Sequence, residues 1–91
     1  MDVTTAAATT VRVRYFAGAR AAAGVNEETI QLAAAARVSD LVDELAGRHG
    51  AALTKVLTAC SFLLDGVAVR DRSVALRDGS GVDVLPPFAG G

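Results

Sequence analysis

Val38, Leu41, Val42, Leu45 and Ala46 recur at i, i+3, i+4, i+7 and i+8, the spacing of one apolar stripe along an α-helix. Ser39 or Asp40 suits the start of that helix, and Asp40, Asp43 and Glu44 put negative charge near its N-terminal end. Arg48 and His49 put positive charge near the other end, and Gly50 is a natural stop. A lone stripe must be buried against something else, and the other apolar residues are mostly spaced for strands. Val11, Val13 and Tyr15 alternate with Arg12, Arg14 and Phe16, the period-two pattern of a half-buried strand. Residues 18–24, with glycine at both ends, read as a turn-like link. Residues 26–32, carrying Thr29, Ile30 and Leu32 among charged neighbours, read as the second strand of an N-terminal hairpin.

Beyond the helix, Leu53, Val56 and Leu57 suggest a short second helical segment, after which the pattern shortens to strand-length runs. Ser61 to Leu64 is closed by Asp65-Gly66, a hairpin turn dipeptide, and Val67 to Val69 returns. Residues 78–81, Asp-Gly-Ser-Gly, make another turn before a final strand from Val82 to Leu85. The expected fold class is α+β: a mixed sheet of four to five strands packed on one main helix. That order matches the ubiquitin-like β-grasp. The expected domain is 11–85, preceded by a disordered tail over 1–10 and followed by an extended tail over 86–91.

Ninety-one residues form one domain near the small end of those that fold without staples. Apolar residues make up 52%, but alanine supplies much of that, so the core is small and leaves no room for a large catalytic pocket. A net charge of −1 and the absence of a Lys/Arg cluster with interleaved rings argue against nucleic-acid binding. No apolar run reaches membrane-spanning length, and the Ala- and Thr-rich first ten residues lack the regions of a signal peptide. Cys60 is the one cysteine, which excludes an internal disulfide and a Cys-based zinc site and fits a reducing, cytoplasmic setting. Cys60 reads as a buried, inert thiol and His49 as a helix-end residue. No metal-ligand set, nucleophilic triad or phosphate-binding glycine loop is visible.

The candidate functional stretch is Leu85-Pro86-Pro87-Phe88-Ala89-Gly90-Gly91. Gly90 and Gly91 have no Cβ, so another backbone or a nucleotide can approach them closely; a frayed end is the competing reading. Pro86 and Pro87 cannot donate to a sheet ladder, so the last strand stops there and the chain is steered into extended conformations. Residues 86–91 would then reach roughly 20 Å outward. Alternation places Phe16 outward with Arg12 and Arg14, and Leu85 outward with Asp83. If first and last strands are neighbours, Phe16 and Leu85 form one exposed apolar patch, with Ala68 placed to extend it. The competing reading is two unrelated surface residues.

From Val11 to Gly91 the sequence resembles the sulfur-carrier β-grasp proteins, and within them the molybdopterin synthase small-subunit branch. The resemblance rests on Tyr15-Phe16-Ala17 with Arg20 and Gly24, the Val38/Leu41/Leu45 helix, Asp78-Gly79, and above all the Pro-Pro-x-x-Gly-Gly ending. Ala21, Arg37 and Ser80-Gly81 depart from the family pattern, where a Glu, a helix-capping Thr and an acidic pair are common. The resemblance implies that Gly91, with Gly90 behind it, is adenylated by an E1-like activating enzyme using ATP and Mg²⁺. A sulfur donor protein then displaces AMP to leave a thiocarboxylate. It further implies a large synthase subunit as partner, in a heterotetramer; the contact residues expected are the Phe16, Ala68 and Leu85 patch read from alternation, with Pro86, Pro87, Phe88 and Ala89 of the tail. No cofactor would be bound by this chain. Carriers for thiamin, cysteine or tRNA thiolation, a ubiquitin-like modifier and a simple binding module remain as alternatives.

Overall fold

The computed structural model describes residues 8–87, so the expectations for residues 1–7 and for Phe88, Ala89, Gly90 and Gly91 lie outside the described residues. The sheet is built on two strands from opposite ends of that span. β1 (Thr9–Tyr15) runs parallel to β5 (Gly81–Leu85), with Val13 opposite Val82 and Tyr15 opposite Val84. β2 (Glu27–Leu32) pairs antiparallel with the other side of β1, and β3 (Ser61–Leu64) pairs antiparallel with β5. β4 (Val67–Ala68) completes a five-stranded mixed sheet in the order β2-β1-β5-β3-β4. This is the α+β β-grasp arrangement expected from the sequence.

One face of the sheet is covered by α2 (Val38–His49) and α3 (Ala51–Leu57). The stripe works as its spacing requires: Val38, Leu41 and Leu45 are fully buried against Val11, Val13, Ile30, Val82 and Val84. The arginines Arg12 and Arg14 alternate onto the opposite, open face. Glycine closes α2, where Gly50 takes φ 84 and returns its N–H to Ala46 O. At the start the cap differs from the simplest expectation. Arg37 is the capping residue, and the Asp40 carboxylate accepts from the Arg37 N–H at 2.8 Å. The next free N–H groups, those of Val38 and Ser39, are satisfied from the loop over residues 69–80, by Val74 O at 3.1 Å and Arg72 O at 2.9 Å. Leu76, 4% exposed, pins that loop to the core.

Two expectations are corrected. The link over residues 18–24 is a helix, α1 (Ala17–Ala23), and not a turn. Its flanking glycines suggest a turn, but the run between them is mostly alanine, the best helix former. Gly24 at φ 81 ends it by bonding Arg20 O at 2.9 Å, and Ala19 is fully buried. The first strand also begins at Thr9, two residues before Val11. Thr10 is held by the 78–81 turn: its N–H donates to Asp78 Oδ1 at 2.9 Å, and its carbonyl accepts from Gly79 N–H at 2.7 Å. The Asp65-Gly66 turn is as expected, with φ 48 and 84 at its two central residues.

A polar cluster ties the C-terminal end of α2 to the first two strands. The Tyr15 hydroxyl donates to Glu28 Oε2 at 2.5 Å, and His49 Nε2 meets the same oxygen at 2.5 Å. His49 also meets the Tyr15 ring edge-on, at 5.9 Å between centroids. Burial by itself would raise the Glu28 carboxyl, but the hydrogen bonds from Tyr15 and His49, with the positive charge of Arg48, outweigh it and hold the group below its ordinary value. Burial and the same bond to Glu28 push the Tyr15 phenol well above its ordinary range. A depressed carboxyl contributes stability above its unfolded pKa of about 4.3 and loses that contribution as pH falls through the folded value. Glu28→Gln should therefore cost about 1–3 kcal/mol at neutral pH and flatten the acid limb of a plot of Tm against pH. An unchanged acid limb in thermal melts would show that Glu28 carries none of the acid sensitivity.

Candidate functional site at the root of the C-terminal tail

β5 leaves the sheet at Leu85, its last residue paired to β3, opposite Ser61. Pro86 follows half-buried and Pro87 exposed, and neither has an N–H to extend the ladder. On the neighbouring strand, the Phe16 N–H still reaches Val84 O at 3.2 Å, so Phe16 lies beside Leu85 one step beyond the Tyr15–Val84 pair. Its backbone is extended, and the turn into α1 falls on Ala17, at φ 49. A non-glycine residue there costs roughly 1–2 kcal/mol, but it lets the chain leave the strand directly after Phe16.

Phe16 is 37% exposed and Leu85 half-buried, both on the open face of the sheet. These two residues, inferred from alternation, are thus brought together. Ala68 is not beside them. It pairs with Leu63, which is opposite Asp83 and so lies on β3 diagonally from Leu85. Leu63 therefore joins Ala68 to the patch, and the sequence reading passed over it. In the structure Phe62, 2% exposed, faces the core, so its neighbour Leu63 faces out. The apolar corner thus consists of Phe16, Leu85, Leu63 and Ala68, set at the base of Pro86-Pro87.

Polar groups bound the corner on the β1 side. Arg14 forms a two-point ion pair with Asp83, Nε to Oδ1 at 2.8 Å and Nη2 to Oδ2 at 3.0 Å. The hydrogen bond to Asp83, then its charge, raises the Arg14 guanidinium further above its already high value. The same guanidinium sits 5.7 Å from the Phe16 ring centroid, a cation–π contact that orients the ring. An apolar centre with a polar rim is the anatomy of a protein–protein contact. Further along this face, Thr10, Arg12, Thr29, Asp65 and Gly81 line an open concavity of about 520 Å³ in which opposite charges are interspersed. Among the described residues, no group of three or more His, Cys, Asp or Glu could hold a metal ion, and no helix is long and apolar enough to cross a membrane.

Comparison with known proteins bears directly on this geometry. The family model described as the ThiS family matches residues 13–91, from inside β1 through the tail to Gly91. The chain belongs to the ThiS family. A molybdopterin synthase sulfur carrier subunit of Chlamydomonas reinhardtii is 40% identical over 82 residues, covering 89% of this chain and 98% of that protein. A Pyrococcus furiosus protein assigned as molybdopterin converting factor subunit 1 superposes with a TM-score of 0.76 at 34% identity, over 88% of this chain and 99% of its own. The small archaeal modifier protein 1 of Haloferax volcanii superposes with a TM-score of 0.79 at 26% identity, over 90% of this chain and 99% of its own. The resemblance to the sulfur-carrier β-grasp proteins, read from the sequence, is therefore borne out, and within the ThiS family the more similar of these relatives are the molybdopterin ones.

Cys60 stands apart from this corner. It is 6% exposed, its Sγ lies 3.2 Å from Val56 O, and burial pushes the thiol above its ordinary pKa despite the opposing charge of Arg72. The arrangement gives an inert thiol, as its apolar neighbours suggested. Iodoacetamide should modify Cys60 in the native protein at least about a hundredfold more slowly than in the denatured chain, because reaction waits for local opening. Equal rates in the two states would place the thiol at the surface.

Proposed function

We propose that this chain is the sulfur-carrier subunit of a molybdopterin synthase, with the tail as its functional group and the β-grasp as the handle. One observation carries the reading: the family match runs through residue 91, and the strand before the tail ends beside an exposed apolar corner. In this reading an adenylating enzyme uses ATP and Mg²⁺ to convert the poorly electrophilic Gly91 carboxylate into an acyl-adenylate. A sulfur donor then displaces AMP, leaving a thiocarboxylate. Its sulfur is anionic and polarisable, and so nucleophilic, by analogy with a thiolate.

The partner in this reading is a large synthase subunit that binds cyclic pyranopterin monophosphate and supplies the catalytic groups. Phe16, Leu85, Leu63 and Ala68 dock on it, and Pro86-Pro87 direct the remaining residues into its site. Phe88 and Ala89 add to the partner contact, and Ala89 and Gly90 keep the approach to Gly91 narrow. Each transfer delivers one sulfur, and two are needed for a dithiolene, which fits an assembly of two small and two large subunits. The likeness to an archaeal modifier favours one second reading, in which Gly91 forms an isopeptide bond with a lysine of a target protein.

Intact mass after co-expression with an activating enzyme and a sulfur donor tests the chemistry. One oxygen replaced by one sulfur is the expected product; lysine-linked adducts of higher mass without that replacement would support the modifier. Leu63→Asp and Leu85→Asp test the corner. Each introduces a charge into the contact and should weaken capture of the large subunit by at least about tenfold, equivalent to roughly 1.4 kcal/mol. Leu63→Asp and Leu85→Asp proteins that remain folded by circular dichroism yet bind as wild type would rule out this corner as the docking surface.

A further inference from the structure

The sheet has two edges. On one side β4 is only two residues long, but on the other β2 runs for six, and among the described residues nothing pairs with its outer side. The register shows which backbone groups that edge offers. The Tyr15 N–H bonds Asn26 O directly opposite, so hydrogen-bonded pairs alternate along the ladder and the backbone groups of Glu28, Ile30 and Leu32 point inward to β1. Arg12 and Phe16 confirm the phase, because their N–H groups point the other way, to Ser80 O and Val84 O. The N–H and C=O groups of Glu27, Thr29 and Gln31 therefore point outward, away from the sheet. All three side chains are exposed and lie on the open face.

We propose that this edge pairs with the same edge of a second copy, antiparallel about a twofold axis through Thr29. In that register Thr29 faces Thr29 of the second copy, and Glu27 faces Gln31 in both directions. It is the one register that pairs all three outward residues within the strand, giving about six backbone hydrogen bonds. The side chains complement each other there: each Gln31 amide can donate to the opposite Glu27 carboxylate, and paired threonines are a favourable cross-strand combination. Sliding each strand two residues, to centre the axis on Glu27, sets two carboxylates face to face, which disfavours that alternative. β2 carries neither proline nor lysine, and its one open-face charge, Glu27, meets Gln31 and not a like charge across the axis. The result is a self-complementary twofold contact. It joins two five-stranded sheets into one and leaves the Phe16–Leu63–Leu85 corner, toward the opposite edge, uncovered. The contact is small, so the dimer is weak and depends on concentration.

The inference is independent of the sulfur-carrier reading, and its test requires neither partner nor activity. Amide hydrogen exchange is followed residue by residue in dilute and in millimolar solutions of the full chain. Concentration should slow exchange roughly tenfold at Glu27, Thr29 and Gln31 while leaving Glu28, Ile30 and Leu32, already bonded to β1, unchanged. Sedimentation should show Gln31→Lys tightening the dimer several-fold by placing opposite charges across the axis, and Gln31→Glu weakening it by a similar factor. Exchange at these three amides that ignores concentration, in a protein that sediments as a monomer at millimolar levels, would overturn the proposal. So would a dimer indifferent to both Gln31 substitutions, or protection of this edge that appears only when a large synthase subunit is added.

Discussion

The parallel pairing of β1 with β5 is the constraint on which the rest of the molecule depends. It joins segments about seventy residues apart in the chain, so its loop-closure cost has to be met by burial. Val13, Val82 and Val84 are completely buried along that seam, and Val11 and Tyr15 continue it. Polar contacts fix its register from the outside: Thr10 to Asp78 across 68 residues, and Arg14 to Asp83 across 69. With the seam fixed, β2 and β3 add to either side, and α2 has a complete apolar surface to cover.

The same pairing creates the apolar corner. Two parallel strands end together, and here their last outward-facing residues are Phe16 and Leu85. β1 then turns away through Ala17 into α1, while β5 runs out through Pro86 and Pro87. The exit of the tail and the apolar surface around it are thus two consequences of one register. Shifting that register by a single residue would turn Leu85 into the core and Val84 out of it. Below the corner, Tyr15, Glu28 and His49 brace the end of β1 against the end of α2, giving the exposed Phe16 a rigid base.

Much of this was legible in the sequence, for identifiable reasons. The Val38–Leu41–Leu45 stripe and the Val11–Val13–Tyr15 alternation are long enough to show their periods, and both elements form where expected. The Pro-Pro-x-x-Gly-Gly ending identified the family because it combines a strand stop with side-chain-free residues. α1 was missed because seven residues hold barely two helical turns and glycines flank the alanines. Leu63 was missed because β3 has four residues, too few for alternation to stand out. The partnership of His49 with Glu28, 21 residues away, depends on how α2 crosses the sheet, which local pattern does not encode.

In the proposed function the folded domain is a handle that grips the partner independently of the tail it delivers. Calorimetry of a chain truncated after Pro87, titrated into the large synthase subunit, measures that grip with the tail removed. The truncated chain should still bind, and Leu63→Asp in the same truncated chain should abolish the heat of binding. Loss of all binding on truncation, or equal binding by both truncated proteins, would show that the domain is not such a handle.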